Sequence, residues 1–238
     1  RDDGVKGWWI DLNEPETATD PLKDQFNGGN ADKVKNVYAL EEAKSFYNGQ
    51  RSYTGDRVWS LSRSGFSGIQ QYGTTVWSGD VNATWEAFSH NLELGLSAGM
   101  SGIPYFTNDT GGFREGPPSA ELYTRWMQAS AFMPVFRAHG DDSANNGAGE
   151  REPWQFGPQS ETIVTQAIRQ RYELLPYIYA AAKQTSEDNT PIMRALASDY
   201  TDDSNVSNIT DQWMFGSSMM IAPVHEEGAA SRNCLLYT

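Results

Sequence analysis

Three short apolar runs of the chain each end in an aspartate. GWWI runs into Asp11, TTVWSG into Asp80 and GIPYFTN into Asp109. Each carboxylate has Trp, Tyr or Phe as a near neighbour. A ring beside an acid suits a sugar, because the C–H face of a pyranose packs on the ring while the carboxylate accepts hydrogen bonds from hydroxyls. Two carboxylates also suffice to break a glycosidic bond, one as nucleophile and one as acid/base, through an oxocarbenium-like transition state. The acid must hold its proton at working pH, which burial and a neighbouring anion arrange. Any one of these aspartates also reads as a helix N-cap or a turn former. Recurrence at three strand ends, each beside aromatics, turns the pattern toward chemistry.

Other chemistries fit less well. Gly95-Leu-Ser97-Ala-Gly99 matches G-x-S-x-G, and Asp109 and His139 follow it in hydrolase order. A nucleophile elbow needs a strand before the serine and a helix after it. Here a helical stripe precedes Ser97 and a strand follows, so the match is a decoy. The 238 residues carry 18 Lys plus Arg against 31 Asp plus Glu, a net charge of −13. That balance argues against nucleic-acid and anionic-membrane partners, which both call for a basic face. A single cysteine, Cys234, excludes an intrachain disulfide framework, and three widely spaced histidines disfavour a metal site. No apolar run approaches the ~18 residues of a membrane span. The sequons at Asn82, Asn108, Asn205 and Asn208 are assigned no function, and the acidic run 199–203 reads as a solvated loop.

To converge, the aspartates need a common edge. Strands are expected at residues 7–10, 58–61, 74–77, 103–106 and 192–196. Between most of them lie helical stripes. Residues 83–99 place Trp85, Phe88, Leu92 and Leu96 on one face; 119–133 place Leu122, Trp126, Ala129 and Met133. Residues 160–184 read as one helix with Val164, Ile168, Tyr172, Leu175 and Tyr179 facing the core and a kink at Pro176. A weaker stripe covers 32–47, and the Gly/Ser-rich stretch 62–73 reads as a loop. Strand–helix alternation implies a parallel sheet, and in a (β/α)₈ barrel the active site lies at the C-terminal strand ends. Five strands make a partial (β/α)₈ TIM barrel, its second half, over residues 1–215. After Asp211, WMFGSSMMIAPV and NCLLYT read as successive β-strands, so an all-β C-terminal domain is expected to begin at 216–238. Both ends of the chain read as cut.

Eight segments, in order, carry a resemblance: KGWWIDLNEPE, SRSGF, VWSGD, GIPYFTNDTGGF, RWMQASAFMPVFRAHG, REPW, LLPYIYAAA and MFGSSMMIAPV. Together they resemble the retaining α-glycosidases of glycoside hydrolase family 31, nearly end to end. The resemblance implies that Asp11, in WIDLNEP, is the catalytic nucleophile and Asp80, in WSGD, the general acid/base. It implies that Arg63 binds sugar hydroxyls, that Asp109 and His139 grip hydroxyls of the sugar in subsite −1, and that Trp9, Trp77 and Phe113 line that pocket. Glu14 reads as support for Asp11, and Glu16 as loop. The family's DMNEP is DLNEP here and its DIGGF is DTGGF. The insertion 17–35 resembles transglucosylase-like members, and the Gly/Asn-rich loop 141–149 would vary subsite access. The implied activity is exo-acting α-glucosidase on an α-linked oligosaccharide or glycoside, without metal or cofactor. α-Transglycosylase, α-xylosidase and a catalytically inactive sugar-binding relative are the alternatives. The two carboxyls of a retaining pair are expected about 5–5.5 Å apart.

Overall fold

The computed structural model describes residues 4–16, 25–26, 28–141 and 149–236. Residues 17–24 and 27 of the expected insertion, 142–148 of the loop after His139, and 237–238 of NCLLYT lie outside them. The chain divides into two compact units, Arg1–Gly79 and Asp80–Thr238.

In the first unit, β1 (Trp8–Ile10) leads to a two-residue antiparallel pair, β2 (Gln25–Phe26) and β3 (Gly29–Asn30), and a single helical turn, α1 (Ala31–Val34). Helix α2 (Tyr38–Tyr53) then crosses to β4 (Ser60–Ser62), which is followed by β5 (Thr74–Trp77). β1 pairs parallel with β4, Ile10 opposite Ser62, and β4 pairs parallel with β5. Such pairing needs a crossover, and α2 supplies the first. The residues of α2 that bury fully are small ones, Ala39 and Ala43. The connection from β4 to β5 is a loop with one 3₁₀ turn, Ile69–Tyr72, as its glycines and serines imply. It closes at Gly73, whose φ is +66° and where a Cβ would lie 2.3 Å from the Val58 carbonyl oxygen. Only glycine fits there.

The second unit contains α3 (Trp85–Met100), β6 (Phe106–Thr107), α4 (Ala120–Ser130), α5 (Gly157–Glu173), α6 (Leu175–Asp188), β7 (Met193–Ala195), α7 (Leu196–Asp199), β8 (Trp213–Phe215) and β9 (Met219–Ile221). The expected stripes of α3 and α4 are buried: Phe88, Leu92 and Leu96 meet Leu122, Trp126 and Ala129, with Phe88 stacked on Trp126 at 5.1 Å. Truncating either ring to alanine would cost about 3–5 kcal/mol. Ser97 lies inside α3, and Gly95 lets that helix approach Met193 and Phe106, where a Cβ would sit 3.1–3.2 Å away. The G-x-S-x-G match is thus a packing feature.

Three expectations are corrected here. Residues 160–184 form two helices that part at Leu174, with Pro176 in the first turn of α6. Their buried face is Ser160, Val164, Ala167 and Arg171, then Ile178 and Thr185, whereas Tyr172, Leu175 and Tyr179 are exposed. Tyr172 already lies off the buried face within α5, and beyond the break at Leu174 Leu175 and Tyr179 lie off the face that α6 buries. Within residues 192–196 the strand is β7, which runs antiparallel to β8, with Met193 opposite Phe215. No long crossover helix separates the two, so an antiparallel return is what the connection permits. β8 and β9 form the expected hairpin, but residues 233–236 of NCLLYT form no strand.

Two polar ties complete this unit. Arg171, 9% exposed, donates to the carbonyls of Ala131 (2.9 Å), Met133 (2.6 Å) and Pro134 (2.9 Å), and burial lowers its pKa to about 10. His225 bridges Ser89 Oγ (3.1 Å) and Asp211 Oδ2 (2.9 Å), and Arg232 pairs with the same Asp211 oxygen at 3.1 Å. Asp199, at the start of the acidic run 199–203, is not simply solvated, because it pairs with Arg194 at 3.0 Å.

Candidate active site

Parallel register decides what stands beside Asp11. With Ile10 opposite Ser62, the next residues of β1 and β4 are Asp11 and Arg63, and the Arg63 N–H donates to the Ile10 carbonyl at 3.1 Å. Arg63 Nη1 lies 3.2 Å from Asp11 Oδ1. The same guanidinium makes a two-pronged contact with Glu14, Nε to Oε1 at 2.7 Å and Nη2 to Oε2 at 3.0 Å, and also bonds Glu16. One cation thus serves three carboxylates. Its hydrogen bond holds Glu14 below the usual carboxylate range, and Glu14 in turn raises the Arg63 pKa further. Glu16, read as plain loop, belongs to this cluster.

The turn after Asp11 is strained. Leu12 has φ +58°, a conformation that costs a non-glycine residue roughly 1–2 kcal/mol, and its N–H donates back to Asp11 Oδ1 at 2.9 Å. Asn13 holds the turn in place. It is 2% exposed, donates from Nδ2 to Ser62 Oγ at 2.7 Å and accepts from the Ser64 N–H at 3.1 Å. The asparagine therefore staples the Asp11 turn to the segment that carries Arg63. Trp9, two residues before Asp11 and so on the same side of β1, is exposed and meets the buried Trp77 edge-on at 6.1 Å.

In the second unit the remaining candidates lie on neighbouring loops. Neither Asp80 nor Asp109 caps a helix: Thr84 caps α3 and Ser119 caps α4. The N-cap reading of these two aspartates is therefore excluded. Asp80, 24% exposed at its side chain, pairs through Oδ2 with Arg114 Nη2 at 2.8 Å. Asp109 follows β6 and is 1% exposed, its carboxylate 2.9 Å from Arg137 Nη1 and within the field of Arg151. Phe113 and His139 stack at 5.4 Å, 22° from parallel, where the two loops meet at a bridge between Thr110 and Ala138. Arg151 donates to the Gly112 carbonyl, and burial lowers its pKa. Asn108 is fully buried, accepting from Trp126 Nε1 and Thr110 Oγ1, so its sequon is closed to modification.

Trp9, Asp11, Arg63 and Trp77 thus belong to the first unit, and Asp80, Asp109, Phe113 and His139 to the second. Sequence reasoning passed over Asn13, Arg114, Arg137 and Arg151. Arg137 and Arg151 stand inside FRAHG and REPW, so the signal was present in motifs already noted. Among the described residues no group of three or more His, Cys, Asp or Glu is placed to share a metal ion. The positive charge amid Asp11, Glu14 and Glu16 is Arg63 itself.

Comparison with known proteins identifies the family. The family model for the glycosyl hydrolases family 31 TIM-barrel domain matches residues 1–181, and that for the family's C-terminal domain matches 189–237. An alpha-xylosidase of Saccharolobus solfataricus is 40% identical over 231 residues, 93% of this chain and 31% of the relative. Alpha-glucosidase 2 of Bacillus thermoamyloliquefaciens is 37% identical, over 93% of this chain and 28% of the relative. The crystal structure of a GH31 alpha-xylosidase from a soil metagenome, complexed with xylose, superposes with a TM-score of 0.88 at 33% identity, over 96% of this chain and 36% of that one. The chain spans about a third of the length of these relatives. Its parallel α/β portion is part of a (β/α)₈ barrel, and an antiparallel β portion follows.

Proposed function

Because the chain belongs to glycoside hydrolase family 31, we propose that its protein is a retaining, exo-acting α-glycoside hydrolase, an α-glucosidase in the first instance. Asp11 attacks the anomeric carbon, and the glycosidic C–O bond breaks as Asp80 gives its proton to the leaving oxygen. Asp80 then takes a proton from water, which attacks the anomeric carbon and releases Asp11 from the ester. Aromatic rings at Trp9 and Phe113 and polar groups at Arg63 and His139 bind the sugar.

The observation that supports Asp11 over Glu14 is how loosely it is held. Glu14 takes Arg63 in a two-pronged contact, whereas Asp11 touches it through one oxygen at 3.2 Å and keeps its side chain 48% exposed. A nucleophile must reach an incoming carbon, and the single-oxygen contact with Arg63 does not prevent it. Likeness to the two α-xylosidases favours a second reading, in which the −1 sugar is xylose.

Both readings are tested on the full-length protein with p-nitrophenyl α-glucoside and p-nitrophenyl α-xyloside. The α-glucosidase reading expects the glucoside to be preferred by kcat/KM at least tenfold, with an α-configured first product by NMR. Preference for the xyloside would replace it with the second reading, and a β-configured first product would overturn retention. Chain-lengthened products from malto-oligosaccharides would move the activity to transglycosylation.

A further inference from the structure

The ion pair between Asp80 and Arg114 has no role so far. Arg114 follows Phe113 on the loop after β6, and its side chain is 61% exposed. Exposed pairs are usually worth little, because holding two long side chains together costs entropy and water screens the attraction. This one is different in construction. The backbone of the Arg114 loop is clipped to the segment just after Asp80: the N–H of Phe113 and that of Arg114 (3.0 Å) both donate to the Val81 carbonyl, and Ala83 N–H donates to the Arg114 carbonyl at 2.9 Å. Asn82 Nδ2 adds a bond to Glu115 Oε1 at 2.9 Å. The two segments lie so close at Gly112, φ +82°, that a Cβ there would sit 2.3 Å from the Ala83 Cα. Both ends of the ion pair are thus fixed at the backbone before the side chains meet.

We propose that Arg114 is a positioning residue for proton transfer by Asp80. Its Nη2 engages Oδ2 and turns Oδ1 toward the leaving group. When Asp80 has passed its proton to the departing oxygen, the guanidinium stands beside the new carboxylate and balances its charge. The inference rests on the acid/base reading of Asp80, and it adds a residue on the leaving-group side.

Leaving-group chemistry tests it. A p-nitrophenolate departs without a proton, whereas a methoxide does not, so a defect in proton donation shows on the second substrate alone. In the full-length protein, Arg114→Ala is expected to lower kcat/KM for the methyl α-glycoside of the preferred sugar three- to tenfold. The p-nitrophenyl α-glycoside should stay within twofold, and Arg114→Lys should recover part of the loss. Equal losses on both substrates, or none on either, would overturn the proposal. Asp80→Ala run in parallel separates the two levels. If it slows both substrates equally, the acid/base reading has failed. If it spares the nitrophenyl substrate while Arg114→Ala shows no such selectivity, only the role of Arg114 has failed.

Discussion

Carboxylates are treated in opposite ways in the two units. Around Arg63, one cation is shared by Asp11, Glu14 and Glu16, each with its side chain 43–54% exposed. Around Asp109, one carboxylate at 1% exposure has Arg137 in contact and Arg151 close by. An acid-rich cluster in water leaves each carboxylate incompletely neutralised and free to take another partner. A cation-rich pocket out of water encloses its single acid between two arginines. The two settings differ in this way although both acids follow strands in runs that look alike in one dimension.

The sharpest way to break this contrast is to remove Asp11. Asp11→Ala is expected to lower kcat/KM at least a thousandfold, about 4 kcal/mol of barrier, while leaving Tm within 2 °C, since Glu14 keeps Arg63 paired. Activity that survives, or a large drop in Tm, would dissolve the distinction. The converse change is Arg137→Leu, which leaves Asp109 buried beside a poorer set of cations. It is expected to cost about 3–5 kcal/mol of stability by urea denaturation. A loss below 1 kcal/mol would mean that the buried pair of Asp109 and Arg137 does not carry the stability described here.

Smaller effects sharpen the picture. Gly112→Ala forces a Cβ against Ala83 at a positive φ, so a loss of about 1–3 kcal/mol is expected, with rates on poor leaving groups falling alongside. Unchanged stability would show that the clip between these loops is slack. The smallest effect is one of pH. The hydrogen bond from His225, reinforced by Arg232, lowers the Asp211 pKa from 3.8 to about 2. That tie stabilises the fold fully above pH ~4 and is lost as pH falls toward 2, on the order of 1 kcal/mol for a side chain one-third exposed. Asp211→Asn should flatten the stability profile over that interval, and an unaltered slope would count against the tie.

What the sequence disclosed follows from the range of each interaction. β5 is legible residue for residue, because TTVW is β-branched and bounded by glycines. Helix α3 is legible because Trp85, Phe88, Leu92 and Leu96 repeat at helical spacing. Asp11, Arg63 and Asp80 stand out as candidates because each sits in a short run of distinctive residues. Pairing is not. That Arg137 answers Asp109, or Arg114 answers Asp80, depends on loops brought together across 28 and 34 positions. Strand direction is equally hidden: IMRAL is apolar enough for a sheet, and nothing within it says whether its neighbour runs parallel or antiparallel. The break at Leu174 is visible only as Pro176, which marks a kink without saying which face is buried.

Arg171 has a consequence for durability. It grips three main-chain oxygens just upstream of Phe136, Arg137 and His139. Carbonyls neither titrate nor exchange for counterions. That joint therefore keeps its grip in brine or at acidic pH, where the paired carboxylates elsewhere would loosen, and the loop that carries His139 stays moored when the rest of the charge pattern has faded.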